Sequence, residues 1–185
     1  KEGVHNDWSA CITAIVTHQA VYIIEVVRKR AEFPEQKRLA IRNAVAHRAT
    51  ALLIEDQASG TQLIQTLRSE VPAGVPRPIP CRPETDKKSR VAGISAMIEA
   101  GQLLLPRMAP WLAEFQQELL GFPNARHDDQ VDALAQLLDW VRRRWMTYDG
   151  PPEPPYVPYV NADGSCGIGG DAFWEDGDEE YDPLY

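Results

Sequence analysis

The chain has 185 residues with 27 acidic against 19 basic side chains, a formal net charge of −8. Taken whole, that balance argues against nucleic-acid binding, which usually comes with a basic excess, while a hydrophobic content of 44% fits a globular domain rather than a disordered chain. No apolar run reaches the roughly 18 residues of a membrane span, no secretory leader pattern opens the chain, and three scattered cysteines (Cys11, Cys81, Cys166) make neither a CxxC pair nor a disulfide framework, which points to a reducing compartment.

Trp8 to Val16 and Val21 to Val27 are β-rich runs separated by Thr17-His18-Gln19-Ala20, the pattern of a hairpin. Pro34 to Arg48 places proline at the first turn and repeats Ala40, Ile41, Ala44 and Val45 at helical spacing, predicting an amphipathic helix. Ala51 to Ile54 has strand length and runs out into Glu55-Asp56. Thr61 to Ser69 predicts a second helix, with Ser59 as its cap. The proline-rich stretch Val71 to Pro83 has room for one short strand, Ile79 to Arg82. Thr85 or Asp86 caps a helix that runs to Ala100 and stops at Gly101. Gln102 to Leu105 is a short strand, Pro110 to Leu120 a helix closed by Gly121. His127 to Trp145 is the last helix, with Val131, Leu134, Leu138, Val141 and Trp145 on one stripe. Strands alternating with helices after an antiparallel start predict an α/β domain with a mixed sheet.

The charge is segregated. Residues 149–185 hold ten acids, no Lys or Arg, six of the 15 prolines and six of the 12 glycines. Such a segment buries too little apolar surface to offset its ordering entropy and is expected to be an extended acidic tail, its aromatics leaving room for docking. The body, residues 1–148, is left with 17 acids against 19 bases, a net of about +2.

Two acidic features stand out in that body. Glu55 and Asp56 lie at the carboxyl end of a buried-looking strand, where α/β sheets place ligand sites, although a plain strand-to-loop transition has the same composition. In His127-Asp128-Asp129-Gln130-Val131-Asp132, the spacings of three and four residues put the aspartates on one helical face away from the apolar stripe. Asp128 as a cap and the helix dipole account for acids at a helix start; Asp132, a turn further in, fits that account less well. Carboxylate oxygens suit a hard cation such as Mg²⁺, and two such ions serve phosphodiester cleavage. The histidines lack zinc spacing, and there is no GxxxxGK[ST] phosphate loop or GxSxG elbow. Arg28-Lys29-Arg30, Lys87-Lys88-Ser89-Arg90 and Arg142-Arg143-Arg144 are basic clusters that suit either phosphate contacts or a solvated face.

Leu53-Ile54-Glu55-Asp56-Gln57-Ala58-Ser59-Gly60 resembles the strand-end acidic motif of phage terminase large subunits. Leu105-Pro106, Ala109-Pro110-Trp111-Leu112, Glu118-Leu119, Phe122-Pro123-Asn124 and His127-Asp128-Asp129-Gln130-Val131-Asp132-Ala133-Leu134 are similar to that family's C-terminal stretch, and Lys1 to Ser9 to the start of its nuclease domain. The similarity covers about residues 1–145. It implies an RNase H-like nuclease domain over residues 1–148, a mixed β-sheet flanked by helices, followed by the tail at 149–185. The implied activity is metal-dependent endonucleolytic cutting of concatemeric viral DNA during genome packaging. The resemblance carries Mg²⁺ or Mn²⁺ in a two-metal site, with Glu55 as the strand-end ligand and Asp128 or Asp129 as the ligand from the last helix. Asp132 follows as an outer or alternate ligand, Asp7 as a further candidate, and Lys87, Lys88 and Arg90 as DNA contacts. It also implies double-stranded DNA, a terminase ATPase domain, a small terminase subunit and a portal protein as partners, in the cytoplasm of a bacterial host and with no membrane. The family pattern has an essential aspartate on a first strand just upstream of Lys1, and a motor domain before it; no residue of this chain matches either. That difference keeps open an inactive RNase H-like docking module. A resolvase- or transposase-type nuclease is the third reading, set back by the 73-residue separation of Glu55 from Asp128. If Asp7, Glu55, Asp56, Asp128, Asp129 and Asp132 face metal, the rest of the body carries about +8, and the acidic total no longer excludes DNA.

Overall fold

The computed structural model describes residues 8–82, 87–122, 124, 127–146, 157–160 and 166–169, with the backbone alone for 87–91 and the last two segments. The chain divides into two compact units, Lys1–Asp149 and Gly150–Tyr185.

In the first unit, β1 (Trp8–Val16) and β2 (Val21–Arg30) form an antiparallel hairpin, with a register shift at Thr13/Ala14. Thr17 closes it: its hydroxyl donates to the Ala20 carbonyl and accepts from the Ala20 and Gln19 amides. β2 outruns the expected end at Val27 by three residues, so Arg28-Lys29-Arg30 belongs to a paired strand. α1 (Phe33–Ala46) follows, with Pro34 in its first turn. β3 (Leu52–Glu55), α2 (Ser59–Glu70) and β4 (Pro78–Cys81) make a parallel crossover unit. Pro78 and Pro80 alternate along β4, so both missing amide donors fall on the same edge, as proline in a sheet requires. α3 (Lys87–Glu99) ends before Gly101, whose φ of +68° is the left-handed conformation that glycine adopts without strain. β5 (Leu103–Leu104) pairs parallel with β2, and α4 (Leu112–Gly121) and α5 (Asp129–Trp145) complete the unit. The element order is the one the sequence predicts. The sheets are β1-β2-β5 and β3-β4.

Alternation along the hairpin sorts its two faces. Ser9 accepts from Gln36 and Cys11 from Asn43, so that face lies on α1. Ile12, Ala14, Ile23 and Val26 turn the other way and join Met97, Phe115, Val131, Leu134, Leu138 and Val141 in the main core. Leu134 and Val141 are fully buried; burying each such side chain contributes about 1.5–3 kcal/mol. A second cluster, Ile54, Leu63, Ile64 and Leu67 with Ile41 and Phe33, joins α1 and α2 to β3. α5 lies along β1: His127 meets the Trp8 ring edge-on at 5.9 Å at one end, and the Trp145 indole donates to the Thr17 carbonyl at 2.7 Å at the other. Among the described residues no helix is long and apolar enough to cross a membrane.

The second unit contains β6 (Val157–Val160) paired antiparallel with β7 (Cys166–Gly169), a pairing that the sequence reading as an extended tail did not include. Val157, Tyr159 and Val160 have the high strand preference that the flanking composition conceals.

Candidate active site

Two acids end β3 and they differ in their engagement. The Asp56 carboxylate accepts from the Thr61 hydroxyl at 2.9 Å and from the Arg82 guanidinium at 3.1 and 3.2 Å, while its amide donates to the Cys81 carbonyl. The Thr61 hydrogen bond first, and Arg82 after it, hold its carboxyl below the usual range. Asp56 therefore ties the strand end to α2 and to the end of β4. The half-buried Glu55 carboxylate has no hydrogen-bond or ion-pair partner among the described residues, so it is the acid of the pair that is available to a ligand.

The turn behind Glu55 is tight. Ala58 sits at φ +49°, ψ −121°, a conformation that costs a non-glycine residue of order 1–3 kcal/mol. The helix then begins at Ser59, so Ala58 holds the cap position expected of Ser59, and no side chain caps the helix. A β-carbon on Gly60 would stand 2.0 Å from the Glu55 carbonyl oxygen. Only glycine permits α2 to start this close to the strand.

At α5, Asp128 occupies the N-cap position without making a side-chain cap hydrogen bond; its carbonyl receives the Asp132 amide at 2.8 Å. Capping comes from another helix. Glu118 of α4, with 5% of its side chain exposed, accepts from the Gln130 amide at 2.7 Å, the Val131 amide at 3.4 Å and the buried Gln130 side chain at 2.6 Å. Arg28 of β2 completes the cluster. Its side chain is 9% exposed, with Glu114 at 2.6 Å and Glu118 and Asp129 each at 3.6 Å. Its guanidinium lies 4.2 Å from the centre of the Trp8 ring. Ala10, its partner across the hairpin, is small enough to leave room for that packing. Burial chiefly, and then the charges of Glu118 and Asp128, raise the Asp129 carboxyl above its ordinary value, with Arg28 opposing.

Of the residues singled out from sequence, Glu55 lies at the end of β3 and Asp128, Asp129 and Asp132 at the start of α5. Among the described residues, no three His, Cys, Asp or Glu side chains are grouped to hold a metal ion, so Glu55 and the α5 aspartates are not drawn into one cluster. Their chemistry, carboxylate oxygens only, fits a hard divalent cation. Asp7 and the side chains of Lys87, Lys88 and Arg90 lie outside the described residues, as do Thr85 and Asp86. Sequence reasoning missed Arg28 and Glu118. Glu118 left a trace, a carboxylate three residues after Phe115 on the apolar side of α4. Arg28 showed only as part of a basic cluster, and its pairing with carboxylates about 90 to 100 positions away left no trace.

A mixed α/β unit with acids at the end of a parallel strand and at the start of its last helix belongs to the RNase H-like class of domains. The family model described as terminase RNaseH-like domain matches residues 1–139, from before β1 into α5, and the chain belongs to that family. The comparison with curated proteins found no match.

Proposed function

We propose that this chain is the metal-dependent DNA endonuclease domain of a phage terminase large subunit, cutting concatemeric viral DNA during packaging in the host cytoplasm. The observation that carries the reading is the family match over residues 1–139, which takes in both acidic elements. Glu55, Asp128 and Asp129 are the proposed ligands, with Asp132 beside them and Asp7 contributing from the first segment. Mg²⁺ or Mn²⁺ bound there, as a pair, would activate water and stabilise the leaving oxygen. The protein's own share is positional. The Gly60 approach and the Asp56 clamp fix the β3 end that bears Glu55. Glu118 and Arg28 fix the first turn of α5 and the Asp129 carboxylate. Lys87, Lys88 and Arg90 contact backbone phosphates. DNA, an ATPase motor domain, a small subunit and a portal are the expected partners.

One observation favours a second reading, an inactive docking module of the same machinery: Asp129 already faces the buried Arg28 cation. Supercoiled plasmid separates the two. The nuclease reading predicts relaxed and linear products with Mn²⁺ or Mg²⁺, abolished by EDTA and by Glu55→Ala or Asp129→Ala in folded protein. Intact plasmid with either ion supports the docking module, and cleavage surviving both substitutions rejects the assigned acids.

A further inference from the structure

The hairpin presents two adjacent cations, Lys29 and Arg30, to opposite faces. Lys29 pairs with Glu35 on α1. Arg30 faces the α5 side, directly across from Trp8 in the register, with its guanidinium 4.9 Å from the centre of the Trp8 ring. The same ring receives Arg28 at 4.2 Å and the edge of His127 at 5.9 Å. Arg30 is exposed, and no carboxylate among the described residues pairs with it. Its neighbour Arg28 is the reverse: buried, and set among three carboxylates.

We infer that Arg30, held over the Trp8 ring, is a phosphate-contacting residue of the DNA-binding surface, placed beside the first turn of α5. Two physical features converge on it. A guanidinium loses most of its entropy before binding when it is stacked on an aromatic ring, and it presents a planar fork matched to phosphate oxygens. Trp8 links it through Arg28 to Asp129, so a phosphate on Arg30 would bring the adjoining backbone toward the proposed cutting site. Carboxylates in this quarter repel DNA, and an exposed cation at their border, with no carboxylate paired to it among the described residues, offsets that repulsion.

The inference rests on the nuclease reading, and its test is binding without cleavage. The full chain is titrated into a short fluorescein-labelled duplex in EDTA, and anisotropy is followed at several salt concentrations. Arg30→Gln is expected to weaken binding about tenfold, the order of one charge-assisted hydrogen bond, and to reduce the salt slope by about 1. Lys29→Gln removes the same charge from the other face and is expected to change affinity less than twofold. Arg30→Lys keeps the charge but not the stacked fork, and is expected to recover only part of the loss. Equal losses from Lys29→Gln and Arg30→Gln would overturn the inference, as would wild-type binding by Arg30→Lys. A wild-type chain that cleaves plasmid while Arg30→Gln binds normally rejects this residue alone; a wild-type chain that neither binds nor cleaves rejects the nuclease reading as well.

Discussion

Replacing Glu118 with alanine tests whether α4 really caps α5. The substitution deletes the acceptor for the Gln130 amide, the Val131 amide and the Gln130 side chain, and it removes one of three carboxylates around Arg28. Hydrogen bonds to a charged group contribute about 1.5–3 kcal/mol each. Two of the three here are short, and all sit at a position with 5% side-chain exposure. Against their loss stands the relief of a buried carboxylate's desolvation, and Arg28 keeps Glu114 and Asp129. The net expectation is a destabilisation of about 3–5 kcal/mol, the range for breaking a buried charge cluster on one side. Glu118→Gln retains a carbonyl acceptor for the helix amide and should cost about 1–2 kcal/mol. Urea denaturation gives both values, and hydrogen exchange at Gln130 and Val131 should accelerate in the alanine variant before global unfolding. A loss below about 1 kcal/mol for Glu118→Ala, with exchange at those amides unchanged, would show that Glu118 does not cap α5.

Asp129→Asn should leave the fold intact or slightly stabilise it at neutral pH, while removing the proposed activity. The sign follows from burial: the folded-state carboxyl is raised, so the stability it contributes is fully present below the ordinary aspartate range and is lost as pH rises through the raised value. Melting temperatures of the two proteins should therefore converge on acidification, and a larger deficit for the asparagine variant at neutral pH than at pH about 4 would contradict this. Gly60→Ala forces the Glu55 carbonyl away from a β-carbon that would stand at 2.0 Å. A loss of about 2 kcal/mol or more, measured by denaturation, should accompany reduced cleavage.

The fold was legible because its signals are local. Two β-rich runs around Thr17-His18-Gln19-Ala20 mark the hairpin, and the α5 stripe returns as buried Val131, Leu134, Leu138 and Val141. Glycine at 101 and proline at 34 mark helix ends where the structure has them. The misreadings arise where tertiary contact overrides local preference. Ser59 looks like a cap, yet the tight approach of Gly60 to Glu55 moves the helix start forward and puts strained Ala58 there instead. Asp128 looks like a cap as well, but Glu118, twelve residues before Gln130, receives the amides. Arg28 looks like part of a solvated basic patch, whereas opposing carboxylates from two helices and the Trp8 face bury it. The site was legible as residue types and positions, Glu55 at a strand end and aspartates at a helix start. The cation that faces Asp129 was not, since it depends on which helices pack over the hairpin.

The proposed nuclease requires Glu55 and the α5 aspartates, which are not grouped in the structure, to take up a divalent cation. Titration of Mn²⁺ into the full chain, followed by the loss of the free-ion electron paramagnetic resonance signal, tests it most directly. Saturable binding is expected, weakened at least tenfold by each of Glu55→Gln and Asp129→Asn in folded protein, about 1.4 kcal/mol or more apiece. Binding as tight in both variants as in the unaltered chain would rule out these acids as ligands.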